Sequence, residues 1–185
     1  YPNYLSYFNE SIGGPARGHL YLADSNIDWG QDLERLRTFM DAHEDETIKL
    51  SYFGSAVPEA YGFDGLLLPS SIDTGSAEYL DGGGTYVISV TELLGVYVGR
   101  ARNHFWQDPA KRESYRQFVA WMEQPEAELS AEEIAKRAQA SDEFARARWG
   151  RFLYELRKRP LDERIGWSMF VYRLSADDVV ALTRP

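Results

Sequence analysis

Apolar and polar positions change period along this chain, and the changes outline its elements. The runs His19 to Ala23 and Thr47 to Phe53 alternate or cluster as short strands do, and Gly54 stops the second. Between them Trp29, Leu33, Leu36 and Met40 recur at intervals of four, three and four, which places them on one face of a helix reaching about His43 and packed on a sheet. Strand, helix and strand in that order predict a right-handed β-α-β unit with parallel strands.

From Ser55 to Gly84 the pattern breaks up around Pro58, Gly62, Gly65, Pro69, Gly75 and the run Gly82, Gly83, Gly84. A long loop follows, with a helical turn near Pro58 to Tyr61, and loops of that length often carry function. Thr85 to Val90 reads as a third strand and Glu92 to Gly99 as the start of a helix. Tyr115 to Met122 is helical in pattern. Ala131 to Arg159 is a long charged helix with the stripe Phe144, Trp149, Phe152, Leu153 and Leu156, ended by Pro160. Trp167 to Leu174 is a fourth strand and Ala176 to Leu182 a last helix. Ser130 with Glu133, and Ser175 with Asp178, fit capping boxes, flanked by the staple pairs Leu129 with Ile134 and Leu174 with Val179.

These elements predict a single α/β domain over residues 1–185: three layers, a small, mainly parallel sheet of about four strands, and an inserted helical segment. Residues 1–16 form an aromatic, juxtamembrane-like connector ending at Gly13, Gly14 and Pro15. Residues 17–100 form the α/β core, 101–160 the helical segment, and 161–185 the final strand and helix.

Composition narrows the function classes. A chain of 185 residues with 44% hydrophobic and 26% charged residues is an ordinary packed domain. Its 29 acidic against 20 basic side chains give a charge of -9, the wrong sign for tracking phosphates, so nucleic acid is not an expected partner. The absence of cysteine excludes disulfides, thiolate metal sites and thiol nucleophiles. No apolar run approaches the roughly 18 residues that span a bilayer, and the N-terminus lacks a signal-peptide layout. The chain begins at Tyr1 instead of Met, as a processed chain or a piece of a longer one would.

Candidate chemistry concentrates between Asp24 and Asp32, which follow the first expected strand, the end of an α/β sheet where ligands usually bind. Four readings fit these residues. Ser25, Asn26 or Asp28 can cap the following helix, with the acidic groups at the positive end of its dipole. Asp24, Asn26, Asp28 and Asp32 can be oxygen ligands of a calcium ion, although the glycine such a loop needs at its sixth position stands one residue late at Gly30, and Arg35 stands at the twelfth in place of glutamate. Asp24, Asn26, Asp28, Gln31 and Asp32, with Trp29, Tyr52, Tyr61 and the Gly82 to Gly84 run, can form a sugar or phosphate-bearing ligand site, because carboxylates and amides bond hydroxyls while an aromatic ring stacks on a sugar face. Asp24 and Asp28 can be the paired carboxylates of a glycoside hydrolase. Elsewhere, His19, His43 and His104 match no zinc pattern, and Ser89 and Ser168 lie in strands without the glycines of a nucleophile elbow.

The same stretch carries a resemblance. Tyr4 to Asn9, then Gly13 to Pro15, Tyr21 to Leu33, Leu50 to Gly54, Pro58 and Tyr61 with Gly62 resemble the tail of bacterial membrane proteins similar to dolichyl-phosphate-mannose protein mannosyltransferases. Gly84 to Ser89 and Ile165 to Leu174 resemble later parts of that tail. The resemblance implies a polytopic glycosyltransferase that takes a sugar from a polyprenyl-phosphate donor at the extracytoplasmic face of the cytoplasmic membrane. Its catalytic acid would lie in an early loop between membrane spans, to which nothing here corresponds. By that analogy this chain is a noncatalytic C-terminal domain without a cofactor of its own, its partners being the membrane-embedded part of the same polypeptide and a glycan or protein acceptor. The alternative is a self-sufficient sugar-active enzyme, or a calcium-binding carbohydrate-recognition domain, centred on Asp24 to Asp32.

Overall fold

The computed structural model describes residues 7–24, 27–71, 80, 82–98, 101 and 103–185, with residues 12 and 103 described by their backbone alone. Its centre is one open sheet of β1 (Ile48–Ser51), β2 (Leu66–Leu67), β3 (Gly84–Ser89), β4 (Glu163–Ile165) and β5 (Met169–Leu174), in the order β2-β1-β3-β5-β4. Strand β1 pairs parallel with β2 and β3, whereas β5 is antiparallel to both β3 and β4. The sheet is therefore mixed and five-stranded, not the mainly parallel sheet of about four strands that the pattern suggests. Two strands escape that pattern because two or three residues are too few to show alternation. The β4–β5 pairing is antiparallel because the two strands form a hairpin through Gly166, whose φ is +59°, and hairpin neighbours must run in opposite directions.

His19 to Ala23 is not a strand. Pro15 presets a helical φ, and residues Pro15–Leu20 form a 3-10 helix that leaves Leu20, Tyr21 and Leu22 exposed. The expected β-α-β unit thus lacks its first strand. A strand-like composition without a neighbouring edge to pair with does not make a strand.

Alternation does assign the two sheet faces. Ile48, Leu50, Val87, Met169 and Val171 pack against helix α1 (Leu33–Ala42) through Leu33, Leu36 and Phe39. Tyr86, Ile88, Phe170, Tyr172 and Leu174 face the other way, onto Trp149, Phe152, Leu153 and Leu156 of α5 (Ala131–Leu156) and Val179 and Leu182 of α6 (Ala176–Thr183). Both helices begin at the capping boxes that the sequence indicates, Ser130 with Glu133 and Ser175 with Asp178. Helix α1 starts later than its periodicity implies. Gly30, at φ +77°, interrupts the chain ahead of Leu33, so Trp29 lies outside the helix and 59% exposed, and Phe39 occupies the buried face alongside half-buried Met40.

The short helix α2 (Val90–Leu93) follows β3 directly, earlier and briefer than the expected Glu92 to Gly99. Helices α3 (Asn103–Gln107) and α4 (Pro109–Glu123) precede α5, whose 26 residues reach about 39 Å. Only the second half of α5 enters the main core. The same half, through Phe144, Ala147 and Tyr154, also packs with α3 and α4 in a side annex around Trp106, Tyr115 and Val119. Arg137 of α5 fastens the end of α4 by donating to the carbonyls of Trp121 and Gln124, each at 2.8 Å. Among the described residues no helix is long and apolar enough to cross a membrane.

Candidate functional site

Parallel strands β1 and β3 lie side by side, but the chain leaves β1 towards β2 and leaves β3 towards the β5 side. Divergent connections open a crevice between the carboxyl ends of two such strands, where α/β sheets bind ligands. The Phe53 N–H donates to Ser89 Oγ at 3.0 Å and ties the two strand ends together. The turn from Asp28 to Asp32 lies over this point.

Local chemistry shapes the turn. Gly30 N–H donates to Asp28 Oδ1 at 3.1 Å, Trp29 N–H to Gln31 Oε1 at 2.8 Å, and the Gln31 amide to the Ile27 carbonyl at 2.8 Å. Tyr52 closes it from below, its hydroxyl donating to the Gly30 carbonyl at 3.3 Å. A side chain at position 30 would place its Cβ 1.8 Å from that hydroxyl, so only glycine fits.

Asp32 is buried and fully engaged. Its Oδ2 accepts from Ser168 Oγ at 2.7 Å, Ser168 N–H at 3.2 Å and Trp167 N–H at 3.3 Å, and Arg35 pairs with Oδ1. It thereby pins the β4–β5 hairpin to the start of α1. Asp28 is 0% exposed, and its Oδ2 has no hydrogen-bond partner. Burial pushes its carboxyl up to about 7; the Gly30 amide, the Ser89 hydroxyl and the Thr91 amide pull the other way, and nearby Asp32 adds to the rise. The phenol of Tyr52 is likewise pushed up to about 12, by burial first and by the Asp28 charge second.

Asp24 stands apart at φ +58°, its carboxylate accepting from the exposed Tyr97 hydroxyl at 2.8 Å. The Tyr97 ring stacks on Phe53, 5.6 Å between centroids. Asn26, as ligand or cap, and Ser25, as cap, lie outside the described residues. Among the described residues no group of three or more His, Asp or Glu side chains is arranged to hold a metal ion, and Asp24, Asp28 and Asp32 form no such group. Tyr61 closes the 3-10 turn Pro58–Tyr61 at the rim, and the Tyr52 end of β1 borders a cleft of about 280 Å³ with Ala56, Val57, Pro58 and Leu67. The Gly82 to Gly84 run does not join the site. It sits at the start of β3, about 20 Å from the Asp28 end, where the Gly82 carbonyl accepts from Lys49 and Tyr86.

Further buried polar residues gather at the same strand ends. Ser89 and Ser168 act through their hydroxyls, and Thr91 and Glu92 follow β3 directly, both buried, with Thr91 Oγ1 and Glu92 Oε2 unpartnered. The other Glu92 oxygen accepts from Ser71 N–H at 2.8 Å and from its hydroxyl, and burial holds this carboxyl above its ordinary range. The signal for Glu92 was present in the sequence: an acid enclosed by Val90, Leu93 and Leu94 directly after a strand.

Comparison with known proteins finds no matching family, no matching curated protein and no matching solved structure.

Proposed function

We propose that this chain is a noncatalytic, extracytoplasmic C-terminal domain of a polytopic glycosyltransferase that uses a polyprenyl-phosphate sugar donor. Its role is to dock on the membrane-embedded part of the same polypeptide and to present the acceptor. The motif resemblance supplies the enzyme class. The observation that carries the docking role is the distribution of large exposed apolar side chains. Among the described residues Tyr7, Leu20, Tyr21, Leu22, Trp29, Val57, Tyr61 and Tyr97 lie in the portion where the resemblance is densest or in the strand ends beside it, against Ile134 and Val180 elsewhere. Aromatic rings with one wet edge suit a membrane interface, and exposed apolar side chains concentrated in one region mark an interaction surface.

A second reading, a self-sufficient sugar-active enzyme, draws on Asp28, whose carboxyl near neutrality suits a general acid. Glycoside chemistry needs a second free carboxylate, however. Asp32 is consumed by the hairpin, and Asp24 is bonded to Tyr97. The test is turnover of aryl-glycosides and of polyprenyl-phosphate sugars by the purified chain. No turnover by the chain alone, together with loss of transfer when Leu20, Tyr21 and Trp29 are changed to Glu in the membrane-embedded enzyme, is the expected result. Turnover by the isolated chain that disappears in Asp28→Asn would replace the docking role with the second reading.

A further inference from the structure

Arg35, Arg159 and Arg173 meet carboxylates, and Arg137 and Arg157 meet backbone carbonyls. Arg164 differs. It stands half-buried on β4, at the end of the strand order, with its guanidinium 4.6 Å from the Phe170 ring centre and 5.9 Å from that of Trp167. Among the described residues it has neither an acceptor nor a carboxylate partner: its Nη1 is enclosed and unmet, while Nε and Nη2 are not enclosed. The acids beside it in sequence are taken, Asp162 by the Arg173 N–H at 2.7 Å and Glu163 by the Arg173 guanidinium at 3.5 Å.

His19, on the 3-10 helix Pro15–Leu20, meets the same Phe170 ring edge-on, 5.0 Å between centroids. Burial, and then the charge of nearby Arg164, lowers its affinity for a proton, so at neutral pH the imidazole is uncharged. Its Nδ1 is enclosed without a partner. An enclosed N–H without an acceptor is costly, which places the one ring hydrogen on Nε2. Leu20, Tyr21 and Leu22 follow directly, all exposed.

We propose that Arg164 and His19 bind the phosphodiester of a phospholipid headgroup while Leu20, Tyr21 and Leu22 enter the lipid around it. This deepens the docking role and rests on it for the nearness of a membrane. Two guanidinium nitrogens fit two phosphate oxygens side by side, and the imidazole N–H adds a third donor. One positive charge with one neutral donor matches the single negative charge of a diester. Tyrosine, with an apolar ring and a polar tip, suits the headgroup layer. The total charge of -9 opposes an anionic surface, but physiological salt screens it beyond about 8 Å, which leaves the contact to the groups at the site.

The test uses the full chain with carbon-13 in its three histidines, His19→Gln assigning the His19 ring signal. Dimethyl phosphate and, as a carboxylate control, acetate are titrated separately. Cosedimentation at about 150 mM salt then compares vesicles of phosphatidylcholine with and without phosphatidylglycerol, whose phosphate has no choline cation beside it. Support is a saturable shift of the His19 signal with dimethyl phosphate that is absent in Arg164→Gln. It must come with binding to the phosphatidylglycerol vesicles that weakens about tenfold in Arg164→Gln and in the double variant Leu20→Ser, Tyr21→Ser. Should Arg164→Gln fail to fold, Arg164→Lys, which keeps the charge without the planar fork, is expected to show the same weakening. An unmoved His19 signal with dimethyl phosphate overturns the site, and so does tighter binding of acetate. A shift with dimethyl phosphate but vesicle binding that ignores the Arg164 variants overturns the lipid source, leaving a site for a soluble phosphodiester. The docking role fails separately, through unchanged transfer by the membrane-embedded enzyme when Leu20, Tyr21 and Trp29 are changed to Glu.

Discussion

Asp28 and Asp32 open and close one turn, are equally hidden from water, and have opposite fates. The Asp32 end faces the β4–β5 hairpin, which supplies two backbone N–H groups and a hydroxyl to one oxygen while Arg35 meets the other. The Asp28 end faces the strand ends, where Gly30 N–H donates to Oδ1, the Ser89 hydroxyl and the Thr91 amide lend weaker support, and Oδ2 has no hydrogen-bond partner within the protein. A buried carboxylate with its acceptor positions filled is a structural fastener, whereas one left partly unmet holds its proton to higher pH and weighs on stability once ionised. The comparison separates what the turn does for the fold from what it offers a ligand.

The largest effect should come from the fastened end. Asp32→Ala strands the Trp167 and Ser168 N–H groups beneath the hairpin and removes the counter-charge of Arg35, for an expected loss of about 3–5 kcal/mol in urea unfolding. A loss below about 1 kcal/mol would show that the hairpin is held by packing and would erase the distinction between the two aspartates.

Asp28 should behave oppositely, and pH reveals it. Its carboxyl titrates near 3.8 when free and about 7 in the fold. Between those values the native state binds the extra proton, so this group lowers stability as pH rises. Its contribution is most favourable below the unfolded value and is lost through the folded one. A difference of about three pK units sets a ceiling near 4 kcal/mol. Asp28→Asn removes the titration. Its melting temperature should match that of the parent chain at about pH 4 and exceed it progressively towards about pH 8. Parallel melting curves across that range would mean that Asp28 is ionised and satisfied like its neighbour.

How far the sequence foretells these two ends depends on whether a signal is local. The capping boxes at Ser130 and Ser175 are complete within four residues and appear as read. Strands β3 and β5 declare themselves because buried residues line both faces of the central sheet. The importance of the Asp24 to Asp32 stretch was legible from its density of polar groups, but the division of labour within it was not. The partners of Asp32 come from a hairpin more than 130 residues away, whose β4 strand is too short to announce itself. The run His19 to Ala23 misled because composition says nothing of whether a pairing edge is at hand. The glycine run misled by its chemistry: it resembles a ligand loop, but Gly83 is required because a Cβ there would meet the Leu174 carbonyl at 2.7 Å.

The finest distinction is which partner holds Asp32. Arg35 is the obvious one, an oppositely charged side chain one helical turn along, but its side chain is 37% exposed and water can replace much of what it contributes. Ser168 gives its hydroxyl and its N–H from a fully buried position, where no water substitutes. Arg35→Ala should therefore cost less than about 1 kcal/mol and lose even that at high salt, while Ser168→Ala should cost about 1–2 kcal/mol independently of salt. Urea unfolding of both variants at low and high ionic strength separates the cases. If Arg35→Ala proves the costlier and its effect fades with salt, the turn is fastened by charge, and the contrast with Asp28 becomes one of available cations instead of available hydrogen bonds.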